Sequence, residues 1–200
     1  MEIKELIKNR EEFVNAVKKN NFDLTPILVG LYSDASHFVY EILQNSEDAK
    51  ATWIKFDLHP DKLIITHNGI VFNGQDIEAI TSISNLENDK KKDLEKIGKF
   101  GIGFKSVYAV TDTPRIQSGK FEFEIIKFVL PSNFKDANNF PETIITLPFT
   151  HPKRSKEEIF ELIQNKFENF EFYNLLFLSH LQSITLHWEG EKHCCFPEYQ

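Results

Sequence analysis

Between Thr52 and Thr66 the hydrophobic pattern of this chain changes period, and that change decides which folds are open to it. Residues 52–58 (TWIKFDL) and 62–66 (KLIIT) are short β-type runs with His59-Pro60-Asp61 between them, so the pair predicts a hairpin. The flanking segments follow the helical period instead. Residues 3–19 set Ile3, Leu6, Ile7, Phe13, Val14 and Val17 on one side of a helix. A second helix, from about Ser33 to Lys50, carries Phe38, Val39, Ile42 and Leu43 as its buried stripe. A short helix opens at Asn73 or Gly74 and runs through Ile83, and another is expected from Phe104 to about Val110. Strands are expected at 114–118, 121–130, 142–148 and 182–188. Ser155 and Glu158 form an S-x-x-E capping box that opens a helix through about Phe167, with a further short helix near 171–179. Helices laid beside about six strands make a two-layer α/β sandwich with a mixed, mostly antiparallel sheet the economical architecture. No internal repeat, low-complexity tract or Pro/Gly-rich linker divides the chain, so residues 1–200 are expected to form a single domain.

Composition removes several function classes. Apolar residues at 41% and charged residues at 26% are the balance of a soluble globular domain, with nineteen phenylalanines to fill its core. No stretch approaches the roughly 20 apolar residues of a membrane span. Met1 to Arg10 has no signal-peptide hydrophobic stretch, so a reducing, cytoplasmic setting is expected. Cys194 and Cys195 are adjacent, which is no disulfide framework. A net charge of −7 argues against a general nucleic-acid surface, since backbone binding needs clustered Lys and Arg. Basic residues do collect at Lys90, Lys91, Lys92, Lys96, Lys99 and Lys105 around a glycine-rich segment, although a lysine run is often only a solvated face.

Three segments carry chemistry. In Glu41-Ile-Leu-Gln-Asn45-Ser-Glu-Asp48-Ala49, the i, i+4, i+7 spacing puts Glu41, Asn45 and Asp48 on one helix face. An amide oxygen there can hold a divalent cation, and a carboxylate can orient or deprotonate water. The same spacing is also what an ordinary exposed helix face shows. In Gly98-Lys-Phe-Gly101-Ile-Gly103-Phe-Lys105-Ser106, three glycines in six positions let backbone N–H groups approach an anion, ahead of a helix whose N-terminal end is positive. It is not a Walker A loop, because Phe104 separates Gly103 from Lys105. It is not a dinucleotide fingerprint either, because Ser106 stands where the third glycine belongs. A plain glycine-rich turn is the competing reading. The third segment, Ile64-Ile-Thr-His67-Asn68-Gly69, is a strand ending in a polar turn.

The order of these segments resembles the GHKL superfamily: a helix motif E-x-x-x-N-x-x-D-A, a turn D-x-G, a lid loop and a glycine motif G-x-F-G-x-G-F followed by a helix. The resemblance covers residues 31–118. It is strongest to sacsin-like and ninety-kilodalton heat-shock-chaperone-like domains, with Leu31, Tyr32, Ser33, His37, Phe38, Glu41, Gln44, Asn45 and Asp48 matching the sacsin pattern. LLFLSHLQSI (175–184) also looks sacsin-like.

The resemblance implies a Bergerat-type ATP-binding fold and a role for each matched residue. Glu41 is the expected general base for water attack on the terminal phosphate, and Asn45 the expected magnesium ligand. Asp48 is expected to help hold the adenine side or the following loop, with Ala49, and Asn68 and Gly69 at the turn, also among the nucleotide-binding residues. Gly98, Phe100, Gly101, Ile102, Gly103 and Phe104 belong to the phosphate loop, with Lys105 adding charge. Thr143, in ETIITLPF, matches a threonine that supports adenine, although Glu142 replaces the glycine that usually precedes it. His67 stands where most of the superfamily has the aspartate that accepts a hydrogen bond from the adenine amino group. A neutral imidazole nitrogen can accept that bond and an imidazolium cannot, while Asn68 could accept through its carbonyl oxygen if the turn rotates.

The implied function is binding of ATP with magnesium, release of ADP, and hydrolysis coupled to closure of residues 84–97, a polar stretch read as a mobile lid loop. The alternative is a module that senses a nucleotide without hydrolysing it. A protein partner or a homodimer fits the family, as does a longer parent protein, and no membrane association is expected. His187, His193, Cys194 and Cys195 lack the spacing of a structural zinc site.

Overall fold

The computed structural model describes residues 3–22, 37–82, 103–170, 178–188 and 190–195. Expectations for Ser33, for the lid at 84–97, for Gly98 to Ile102 and for a helix at 171–177 lie outside these segments. The described elements are α1 (Ile3–Lys19), α2 (Phe38–Asp48), β1 (Trp53–His59), β2 (Lys62–His67), α3 (Gly74–Ile80), a short 3₁₀ helix (Gly103–Ala109), β3 (Arg115–Ile126), β4 (Leu130–Pro148), α4 (Lys156–Glu168), β5 (Ser183–Trp188) and β6 (Glu191–Cys195).

The six strands form one sheet in the order β3-β4-β2-β1-β5-β6. Only β1 and β5 run parallel; the other neighbours are antiparallel. The architecture is therefore the expected two-layer α/β sandwich with a mixed, mostly antiparallel sheet. One face of the sheet is covered, as the period-2 burial shows: Ile54, Phe56 and Leu58 on β1, and Leu63, Ile65 and His67 on β2, are buried while their neighbours are not. Phe167 of α4 meets Phe56 edge-on, with ring centroids 5.8 Å apart, and Trp188 of β5 at 5.7 Å, which fixes α4 over the centre of the sheet. Among the described residues no helix is long and apolar enough to cross a membrane.

Most expected boundaries hold to within a residue or two. All four stripe residues of α2 are buried. The expected capping box is closed, with Ser155 and Glu158 opening α4, and a second one, Asn73 with Asp76, opens α3. Four expectations need correction. The runs at 114–118 and 121–130 are one strand, because Gly119 (φ +54) and the bulges beside it bend β3 without ending it. The turn falls at Lys127 and Phe128, both at positive φ, and β4 then runs back through 131–141, where no strand was expected. The segment after Gly103 is a 3₁₀ helix rather than an α-helix. On α1 only Leu6 is fully buried, and Phe13 is 38% exposed.

Candidate functional site

α2 carries Glu41, Asn45 and Asp48 at successive turns. Glu41 is partly exposed, and its Oε1 lies 3.1 Å from His37 Nε2, one turn earlier. Gly103, at the start of the 3₁₀ helix, packs directly on this carboxylate. A Cβ added there would lie 2.1 Å from Glu41 Oε2 and 3.1 Å from its Cδ. Only the absence of a side chain lets the end of the glycine motif reach α2. Asn45, one turn after Glu41, has a buried Nδ2 with no hydrogen-bond partner among the described residues. An orphaned amide at a buried position carries a penalty that a ligand could relieve. Asp48 is exposed at the end of α2.

The C-terminus of α2 leads to the His67 turn. Ala49 C=O accepts the Ile70 N–H at 2.7 Å. A Cβ on Gly69 would stand 2.8 Å from Ala49 O, 2.9 Å from Ala49 Cβ and 3.0 Å from His67 Nδ1. Gly69 is thus held between the helix end and the imidazole, and any side chain would push them apart. His67 is buried, and its Nδ1 accepts the Gly69 N–H at 3.1 Å. Burial pulls its pKa from 6.5 down to about 4. Across the β2–β4 ladder His67 pairs with Thr143, which is fully buried. Thr143 and Ser118 hydroxyls are 2.6 Å apart, and Ser118 Oγ accepts the Phe72 N–H at 2.9 Å.

A model of the sacsin domain matches residues 60–128, which run from the β1–β2 turn to the end of β3. The chain is 32% identical over 185 residues to Protein NO VEIN of Arabidopsis thaliana, covering 78% of the chain and 7% of that protein. It is 36% identical over 105 residues to sacsin of Homo sapiens (44% of the chain, 2% of that protein). It is 31% identical over 140 residues to Chaperone protein HtpG of Rickettsia canadensis (strain McKiel), covering 52% of the chain and 22% of HtpG. The chain belongs to the sacsin-like and heat-shock-chaperone-like GHKL domains. It spans less than a quarter of each of these three relatives.

Within this sacsin-like domain three sequence expectations change. Lys105 was expected to add charge at the phosphates. Its side chain is buried instead, and Nζ donates to Ile80 C=O at 2.6 Å and Phe128 C=O at 2.5 Å. Burial, helped by the charge of Arg10, pulls its pKa from 10.5 to about 7. Asn68 does not offer its carbonyl to a ligand, because Oδ1 accepts the Thr52 and Trp53 N–H groups at 2.9 and 3.1 Å. Its Nδ2 donates to Thr52 Oγ1 at 2.8 Å, so the side chain locks the turn. His67 cannot serve as an acceptor through Nδ1, which already receives the Gly69 N–H.

Phe104 is buried behind Gly103 and acts as core, while Gly98, Phe100, Gly101 and Ile102 lie outside the described residues. Two residues in contact with these positions had no assigned role in the sequence. His37 could have been found from its i, i+4 spacing to Glu41. Ser118 could not, because its partner Thr143 is 25 residues away and only strand pairing joins them.

Proposed function

We propose that this sacsin-like domain binds ATP through a magnesium ion and hydrolyses it, with residues 84–97 closing over the nucleotide as a lid. The observation that carries the reading is the contact of Gly103 with the Glu41 carboxylate, which joins the glycine motif to the polar face of α2. In this reading Gly98, Phe100, Gly101, Ile102 and Gly103 supply backbone N–H groups to the phosphates. Glu41 accepts the proton of the attacking water, and His37 holds the carboxylate in place. Asp48, Ala49, Gly69 and Thr143 line the base end.

The residues fit a magnesium ion. One carboxamide oxygen on a helix, with the rest of the shell from phosphate and water, is a usual arrangement for this cation. Asn45 Oδ1 is the group that would hold it. Bound there, magnesium would neutralise charge developing on the phosphate oxygens.

Calorimetry with ATP, ADP and magnesium, beside phosphate release, tests the reading. Glu41→Ala should leave affinity nearly unchanged and slow hydrolysis by roughly 10²–10⁴-fold. Asn45→Ala should weaken binding of the magnesium complex more than that of metal-free nucleotide. Tight binding with equal phosphate release by wild type and Glu41→Ala would favour a nucleotide-sensing module instead.

A further inference from the structure

We propose that the base end of this site reads its nucleotide by donating hydrogen bonds, so that the purine presents an acceptor to His67. That acceptor is N1 of adenine or O6 of a 6-oxopurine, and not the adenine 6-amino group. The inference rests on the nucleotide-binding reading above and concerns the same site.

The Gly69 N–H can only donate, and it points at His67 Nδ1 from 3.1 Å. Nδ1 therefore presents its lone pair. A neutral imidazole has one N–H, which must then sit on Nε2. Protonation would not restore an acceptor, since both ring nitrogens of an imidazolium donate. Burial in any case keeps the ring neutral at physiological pH. Nε2 has no hydrogen-bond partner among the described residues, so its hydrogen is left for a ligand.

The strand facing His67 repeats this polarity. Phe72 N–H donates into Ser118 Oγ, and the Ser118 and Thr143 hydroxyls lie 2.6 Å apart. One hydroxyl hydrogen joins the pair, and the other has no acceptor among the described residues. Nearby, Ala49 C=O accepts the Ile70 N–H, and Asn68 Oδ1 accepts two N–H groups. Two backbone N–H groups, those of Gly69 and Phe72, thus donate to His67 on β2 and to Ser118 on β3, the hydroxyl partner of Thr143. At His67 itself, what remains is the hydrogen on Nε2. An amino group meeting Nε2–H would set donor against donor, whereas a ring nitrogen or a carbonyl completes the bond.

The test is calorimetric titration of the 200-residue chain with four magnesium triphosphates: ATP, 1-deaza-ATP, purine riboside triphosphate and ITP. Purine riboside triphosphate keeps N1 and lacks the amino group. If adenine N1 is the contact, it should bind like ATP, and 1-deaza-ATP should bind roughly tenfold more weakly. If O6 is the contact, ITP should bind roughly tenfold more tightly than purine riboside triphosphate. Loss of affinity on removing the amino group, with 1-deaza-ATP unaffected, would overturn the proposal, as would equal affinity for all four. Binding of none of them would overturn the nucleotide-binding reading itself. His67→Asp, which restores an acceptor, should make the amino group matter. Should that variant not fold, ¹⁵N-resolved histidine spectra of the wild-type chain report the tautomer directly. A proton on Nδ1 of His67 would refute the argument.

Discussion

The contact between Gly103 and Glu41 makes a sharp prediction, because it separates catalysis from folding. In Gly103→Ala the new methyl would sit 2.1 Å from Glu41 Oε2 and 3.1 Å from Cδ. Restoring an ordinary 3.4 Å contact requires the oxygen to retreat by about 1.3 Å. The obstacle is the free end of a flexible side chain, so the fold survives by turning the carboxylate aside. An off-rotamer shift of that kind costs about 0.5–1.5 kcal/mol. Replacing glycine at an ordinary φ returns about 0.4–1 kcal/mol by restricting the unfolded chain. The two nearly cancel, and the denaturation midpoint should barely move. The carboxylate, however, leaves both its position and its contact with His37. A misplacement of about 1 Å at a reacting group lowers rates on the order of 10²-fold. The assay is phosphate release at saturating nucleotide, run as a cycle with Glu41→Ala. In the Glu41→Ala background nothing remains to displace, so adding Gly103→Ala should change the residual rate by less than about twofold. Wild-type turnover in Gly103→Ala, or a similar loss in both backgrounds, would refute the reasoning.

Three further outcomes are expected. Lys105 binds its proton less tightly folded than unfolded, since burial lowers its pKa from 10.5 to about 7. The unfolded chain therefore holds the extra proton between about pH 7 and pH 10, and stability should rise with pH across that window. Above about pH 10 the rise should reverse, because burial raises the Tyr108 pKa above its usual value and the phenol ionises more readily unfolded. Guanidinium unfolding at several pH values should show the rise in wild type and lose it in Lys105→Met. Glu47 accepts the N–H groups of Ser179, His180 and Leu181 and contacts the His180 ring. Burial raises its pKa, but these hydrogen bonds together outweigh it, so the net shift is downward. Its contribution is present above the usual glutamate pKa and is lost as pH falls through the lowered folded value. Glu47→Ala should cost about 1–3 kcal/mol at neutral pH and flatten this acid dependence, as chemical denaturation would measure. Ser155→Ala opens the α4 capping box and should cost about 0.5–2 kcal/mol in the same measurement.

Much of this fold was legible because its signals are local. The hairpin of β1 and β2, the stripe of α2 and the Ser155–Glu158 capping box each depend on residues within a turn or two of one another. The errors lie where a local signal has two outcomes. Gly119 can end a strand or bend one, and here Val71 packs against it while β3 continues. Glu191 to Cys195 has no alternation of large apolar residues, so β6 was silent until β5 supplied a partner.

The site was legible in a more uneven way. Motif order named Glu41, Asn45, Gly69, Gly103 and Thr143, and the fold carries each to the α2 face or the His67 turn. Composition cannot say which way a side chain turns, and Lys105 shows the consequence. A lysine two residues past a glycine motif suggests phosphate binding. Yet Phe104 and Lys105 both enter the core, where Ile80 C=O and Phe128 C=O hold the amine. Phe128 offers that carbonyl from a turn at positive φ, 23 residues away, which no window on the sequence contains.

His67 marks the deepest limit. The sequence showed a histidine in place of an acid, and a histidine can donate or accept. The choice belongs to Gly69, whose N–H fixes the tautomer from two residues downstream. Gly69 can reach Nδ1 only because it has no Cβ to meet Ala49 at the end of α2. Gly69 is therefore what gives the histidine its polarity. In a domain with aspartate at this position the same N–H would still donate, and the second carboxylate oxygen would remain free to accept. With histidine no such oxygen is left, so the same turn would offer a ligand a hydrogen where aspartate would offer an acceptor.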